Sequence, residues 1–327
     1  MARADLLLNL IRHGLSGNNQ MFRKVAEAVI AEERNIKHTV LADKMEAELN
    51  KAIPEQTSTN TKSIIDNRIE NFIFEIFPKK TISDLILPDN VVLVCNQIVQ
   101  EQHRFELLRS YGLEPRSRVL LIGPPGNGKT SLAEAIAESL MVPLFVVRYE
   151  GIIGTYLGET AVRLKKIIEF ASTRRCVLFF DEFETLGKER GDTHETGEIK
   201  RVVSSLLLQI DSLPSHVLVI GATNHPELLD RAVWRRFQVR INLPLPTRLN
   251  IEQWFDKFQR KHNLSFVYAS STLAKRLLGS NYAEIEEFGI SVLRKYILSL
   301  PDANMKQIIS KEISSWRANT VKVESQK

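Results

Sequence analysis

One stretch, residues 120–131 (LLIGPPGNGKTS), constrains this chain more than any other. It fits G-x-x-x-x-G-K-[ST], with Gly123, Gly128, Lys129 and Thr130 in the fixed places and Pro124, Pro125, Gly126 and Asn127 between. An apolar run, residues 118–122, precedes it, and a helix-compatible run, SLAEAIAESL, follows. Strand, glycine-rich loop and helix in that order make a phosphate-binding loop. Its small residues let backbone N–H groups wrap phosphates, and a helix starting near Lys129 points its positive dipole end at them. In this reading Lys129 reaches the β- and γ-phosphates, the Thr130 hydroxyl ligates Mg²⁺, and Ser131 completes the loop. The pattern reads as a nucleotide-binding protein.

The rest of the composition bounds the answer. A length of 327 residues suggests about two domains with room for a third small one. With 43% hydrophobic and 25% charged residues the chain can bury a real core. The formal net charge of +5 is spread over both signs. It reads as a solvated mixed surface, and nucleic acid is not an expected partner. Cys95 and Cys176 sit in apolar runs and read as small core residues, which fits a reducing compartment. The apolar residues 6–11 are too few for a membrane span or a signal h-region. A cytoplasmic protein without a membrane segment is expected.

Along the chain, residues 1–52 read as a helical N-terminal segment. Leu6, Leu7, Leu10 and Ile11, then Phe22, Val25, Ala26 and Val29, recur at helical spacing, with a third candidate over residues 39–50. So small a segment buries little alone and is expected to dock on something. Residues 53–63 are polar and aperiodic, so residues 53–77 read as a linker, with a domain boundary near 78. A helical pattern over 90–111 leads into strands at 118–122, 143–148, 176–180, 217–221 and 239–242, separated by helical stretches at 161–170 and 199–210. Strands alternating with helices predict an open, mainly parallel α/β sheet over residues 78–246, with its ligand beyond the strands' carboxyl ends. After LPLPTR (243–248) only helical patterns follow, so residues 247–316 read as a small all-helical domain and 317–327 as a tail.

Two further strand ends carry chemistry. Asp181 and Glu182 close the run 176–180, and adjacent side chains at a strand end point different ways. Asp181 can therefore hold Mg²⁺ while Glu182 polarises the attacking water. Gly221-Ala222-Thr223-Asn224 ends the strand predicted at 217–221, and Asn224 offers both a donor and an acceptor to a γ-phosphate and a water. Arg235 and Arg236 follow, and arginine is the side chain that phosphoryl transfer uses as a finger supplied in trans.

The order of these motifs resembles the AAA ATPases, in particular the clade of ring-forming protein remodellers, over roughly residues 83–300. GPPGNGKT is similar to Walker A, LFFDE to Walker B, GATN to sensor 1, and LLDRAVWRRFQVRINLPLP to the second region of homology. The resemblance implies a P-loop NTPase sheet followed by a helical lid, with ATP and Mg²⁺ bound between subunits of a homo-oligomer, expected to be a hexamer. Arg235 and Arg236 are then fingers for the neighbouring subunit's nucleotide, and Asp84, Leu85 and Ile86 line the adenine. Tyr156, Leu157 and Gly158 stand at the family's pore-loop position, where a ring and a tight turn can press on extended polypeptide. Residues 187–197 suit a second, mobile pore-facing loop, with His194 a solvated residue in it. Two tracts depart from the family pattern. GSNYAEIE, with Tyr282 and Ala283, replaces a stretch of small residues, and ISDLIL (82–87) lacks paired glycines.

The leading functional reading is an ATP-driven ring that remodels, unfolds or translocates protein through a pore. Two alternatives stand beside it: an ATP-dependent switch acting on a partner effector without threading, and a DNA-acting ATPase. The opening MARADLLLNLIR and the tract AEERNIKHTVLAD also resemble stand-alone bacterial AAA ATPases, some of which pair with a separate subtilisin-like protease in defence systems.

Overall fold

The computed structural model describes residues 4–15, 19–35, 42–46, 49, 69, 71–148, 152, 157–186 and 206–324. Tyr156, the loop at 187–197 with His194, the polar stretch 53–63 and residues 199–205 lie outside the described residues. At the centre is a six-stranded sheet of β1 (Ile73–Ile76), β2 (Arg118–Ile122), β3 (Leu144–Val147), β4 (Cys176–Phe180), β5 (Val217–Thr223) and β6 (Val239–Asn242), in the order β1-β3-β4-β5-β2-β6. All neighbouring pairs are parallel except β1 with β3.

Period-two alternation explains why the central strands read as continuous apolar runs. Cys176, Leu178 and Phe180 of β4 enter one core with Leu120, Val217 and Val219. Val177 and Phe179 enter the other, on the opposite face, with Val119, Leu121, Leu218 and Ile220. A sheet covered on both faces needs apolar residues at every position. Each fully buried large aliphatic or aromatic side chain contributes about 1.5–3 kcal/mol.

Two boundaries on the N-terminal side of the sheet differ from the sequence reading. β1 lies inside the stretch read as linker, yet Ile73 to Ile76 pair antiparallel with Val147 to Leu144. The sheet therefore begins before residue 78, because a four-residue edge strand is specified by its distant partner and not by its own pattern. The helical pattern over 90–111 is two helices, α1 (Asp89–His103) and α2 (Phe105–Ser110), parted at Arg104.

The described part of the N-terminal segment is a pair of helices, Ala4–Leu15 and Asn19–Asn35, with residues 42–46 helical as well. Leu10, Phe22 and Met45 pack on Ala26, Ile30, Ala42 and Leu49. This segment docks on its own chain: Lys24 Nζ donates to the Pro78 carbonyl at 2.8 Å and to Glu138 Oε1 at 3.4 Å. Glu138 belongs to α3 (Lys129–Leu140), the helix behind the phosphate-loop motif. After β6 come α4 (Arg248–His262), α5 (Ser270–Arg276), α6 (Tyr282–Leu298) and α7 (Met305–Glu324). Phe255, Leu273, Ile285, Phe288, Val292 and Ile309 give them a core of their own. The starts of α4 and α6 are set by capping boxes at Thr247 and Asn281, whose side chains accept from the Asn250 and Glu284 amides. The last helix runs to Glu324, so residues 317–324, read as tail, continue it.

Candidate active site

Strand register assembles the site. Ile122 pairs with Thr223 across β2 and β5, and Phe180 pairs with Gly221 across β5 and β4. The residues that follow these three parallel strands therefore emerge along one edge of the sheet, at its carboxyl end. They are Gly123 and the loop beyond it, Asn224, and Asp181 with Glu182. A cavity of about 1140 Å³ opens there, lined by Pro125 to Ser131, Asp181, Glu182 and Asn224 on the sheet side. Asp84, Leu85 and Ile86 line its far wall, and Trp254, Tyr282 and Ala283 of the C-terminal helices cover it.

Lys129 heads α3 and is only 6% exposed. Its ammonium donates to the carbonyls of Gly123 at 2.7 Å and Pro124 at 3.0 Å, and to Asn224 Oδ1 at 2.6 Å. Burial pushes its pKa below the usual lysine range, while Asp181 and Glu184 pull it back up. The amine is held by neutral oxygens that a phosphate can replace, and charged oxygens accept more strongly than carbonyls do. Thr130 Oγ1 donates to Asp181 Oδ2 at 3.3 Å, and Ser131 Oγ accepts from Lys80 Nζ at 2.9 Å. Asn127 is buried, donating to the Leu243 carbonyl at 3.4 Å and leaving its Oδ1 without a partner among the described residues.

Glu182 is exposed at the cavity, with a left-handed φ of 45°. A non-glycine residue held there stores about 1–3 kcal/mol of strain, and such strain collects at functional sites. The turn is fixed from both sides. Asp181 Oδ1 accepts the Glu182 N–H at 2.9 Å, and a short 3₁₀ turn, Phe183–Leu186, follows. Within that turn lies a residue the sequence reading passed over. Glu184 is 2% exposed, and its Oε1 accepts the Asn224 N–H at 3.1 Å. It thus ties the turn carrying Glu182 to the turn carrying Asn224. The sequence signal was present, an acid two positions beyond Glu182 in an otherwise apolar surrounding, but its partner is 40 residues away.

Arg235 and Arg236 close a short helix, Arg231–Arg236, capped by Asp230. Neither lines the cavity of its own chain. They are not equivalent. Arg236 is held by Asp211, Nε to Oδ2 at 2.7 Å, and by the Ala232 carbonyl at 3.2 Å. Arg235 is exposed and has no hydrogen-bond or ion-pair partner among the described residues. Leu157 and Gly158 begin the helix Leu157–Ser172, directly after Tyr156 in the chain. Cys95 and Cys176 are buried, and burial pushes both thiols up to about 12, so neither offers a reactive thiolate. No helix among the described residues is long and apolar enough to cross a membrane.

Residues 119–245 match the model of the "ATPase family associated with various cellular activities (AAA)". An AAA family ATPase of Sinorhizobium fredii is 36% identical over 303 residues, 91% of this chain and 90% of its own. A 26S proteasome regulatory subunit homolog of Methanothermobacter marburgensis is 31% identical over 68% of this chain and 60% of its own. The peroxisomal ATPase pex6 of Schizosaccharomyces pombe is 38% identical over 50% of this chain but only 18% of its own. The chain thus spans nearly all of the first relative and part of the other two. With the loop, acids and asparagine converging on one cavity and a relative matched along almost its whole length, the chain belongs to the AAA family and is an ATP-binding, ATP-hydrolysing enzyme.

Proposed function

We propose that this ATPase works as a homo-oligomeric ring, a hexamer, that uses ATP to pull on polypeptide. The observation that carries this reading is the split between the two arginines and the site. Lys129, Thr130, Asp181, Glu182 and Asn224 share one cavity, while Arg235 lies outside it, exposed and unpaired among the described residues. A finger in that position serves a neighbour's nucleotide, with Arg236 and Asp211 fixing the helix end that carries it. Residues 73–246 then form the ATPase body, residues 247–324 its lid, and the N-terminal helices a docking segment.

In this reading the base lies against residues 84–86 under the C-terminal helices, and the phosphates lie in the loop 123–131. Lys129 exchanges the Gly123, Pro124 and Asn224 oxygens for phosphate oxygens, which frees the Asn224 amide for the γ-phosphate and the attacking water. Glu182 orients and polarises that water. The Thr130 hydroxyl and Asp181 carboxylate, adjacent hard oxygen donors, fit Mg²⁺. When bound, that ion neutralises charge developing on the phosphates. Tyr156, with Leu157 and Gly158 behind it, grips the substrate. Two of the relatives are named for the proteasome and the peroxisome, which supports a protein substrate over DNA. Delivery to a separate, subtilisin-like protease is the finer form of the proposal.

Mixing two inactive variants tests the shared site. Arg235→Ala should remove hydrolysis, since a finger in trans contributes on the order of 10³ to 10⁵. Glu182→Gln should bind ATP but lose about 10² to 10⁴ in rate. Mixed rings contain interfaces that join an intact finger to an intact Glu182, so part of the activity should return. Confirmed mixed rings without recovery would refute action in trans.

A further inference from the structure

Tyr282 stands where the lid meets the base wall, in the tract where the family pattern has small residues. Its hydroxyl donates to the Ile86 carbonyl at 3.0 Å, across 196 residues of chain. One residue later the Ala283 N–H donates to the Gly126 carbonyl at 3.0 Å. The first turn of α6 is thereby fastened to both walls of the cavity, the strap at 84–86 and the phosphate loop. Ala283 contributes an amide that a helix start otherwise leaves without a partner. A third tie comes from α4, where Lys257 Nζ donates to the Ser83 carbonyl at 2.8 Å. Burial pushes the Tyr282 phenol up to about 12, so it remains a proton donor at neutral pH.

We propose that Tyr282 is a nucleotide-retaining residue of this site, its ring closing the base pocket and its hydroxyl latching the lid to the Ile86 carbonyl. The proposal rests on the reading of residues 84–86 as the base wall. The wall around it sets Leu85, Leu87, Trp254, Phe258 and Ile290 beside charged side chains such as Asp84, Lys257 and Glu286, and its apolar residues suit the flat face of a purine. A base seated between residues 84–86 and the lid residues above them leaves only when that cover opens. Opening the cover breaks the Tyr282–Ile86 bond, and that bond is therefore felt in the rate of nucleotide release.

The test uses the full-length protein and ADP carrying a fluorescent N-methylanthraniloyl group on its ribose, followed by stopped-flow displacement. Tyr282→Phe keeps the ring and removes the donor. Its off-rate should rise roughly 2- to 12-fold, the range for one neutral hydrogen bond, with an on-rate near wild type. Tyr282→Ala should release faster still, and the Phe variant's melting profile without nucleotide separates lost fold from lost latch. A wild-type-like off-rate in a folded Tyr282→Phe protein would overturn the latch alone. A wild-type protein that fails to retain the probe would overturn the base-wall reading, and the latch with it.

Discussion

Gly126 and Gly128 allow the seating of the lid on the phosphate loop to be measured without nucleotide. Both have left-handed φ values, +75° and +80°. An alanine at either carries the same backbone cost, about 1–2 kcal/mol for an L-residue in that region. Their surroundings differ. A Cβ at Gly128 meets nothing within 4 Å, whereas one at Gly126 lies 2.6 Å from Asn281 Oδ1, 2.8 Å from its Cγ and 3.1 Å from the Ala283 Cβ. To relieve this, Asn281 must release the Glu284 amide that it caps at 2.8 Å, or the lid must retreat and break the bond from Ala283 N–H to the Gly126 carbonyl. The first route costs about 1 kcal/mol and the second about 0.5–1.5 kcal/mol. Gly126→Ala should therefore lose about 1 kcal/mol more than Gly128→Ala. At roughly 2–4 °C per kcal/mol for a domain of this size, it should melt a few degrees lower in nucleotide-free calorimetry. Equal shifts for the two variants would mean that the lid does not rest on the loop when the site is empty.

Two further outcomes follow from the site. Glu184→Ala leaves the half-buried Asn224 N–H without its acceptor, which costs about 1–1.5 kcal/mol. Steady-state kinetics should show kcat down about tenfold or more with ATP affinity little changed, and Glu184→Gln, which keeps an acceptor, should recover most of the rate; an unaffected Ala variant would remove Glu184 from the positioning of Glu182 and Asn224. Tyr156→Ala should hydrolyse ATP yet fail to unfold a tagged test protein, while Tyr156→Phe should retain most unfolding because it keeps the ring. Full unfolding by the Ala variant would exclude threading and favour the switch reading.

The parts of this protein whose physics is local are legible from the residues alone. The strands at 118–122 and 176–180 are found where their apolar runs stand, because a strand covered on both faces is apolar at nearly every position. The phosphate loop was legible because its glycines, lysine and threonine act within eight consecutive residues. Asp181, Glu182 and Asn224 were legible because each ends a recognisable strand, and strand ends on one side of a parallel sheet share an edge. Features that depend on distant partners emerge when the chain is folded. Phe72 to Phe77 reads as an isolated apolar run until Ile73 to Ile76 find β3 some 70 residues on. Glu184 is a surface acid by composition and becomes a buried clamp because Asn224 is brought beside it. Neighbours in sequence, Arg235 and Arg236 differ because Asp211, 25 residues from Arg236, and the Ala232 carbonyl hold Arg236. Tyr282 reads as a departure from a pattern, and the fold turns it into a contact by carrying it across the cavity to Ile86. A hydrogen bond of that kind is specified by two positions at once, and neither carries a sign of the other in its own neighbourhood.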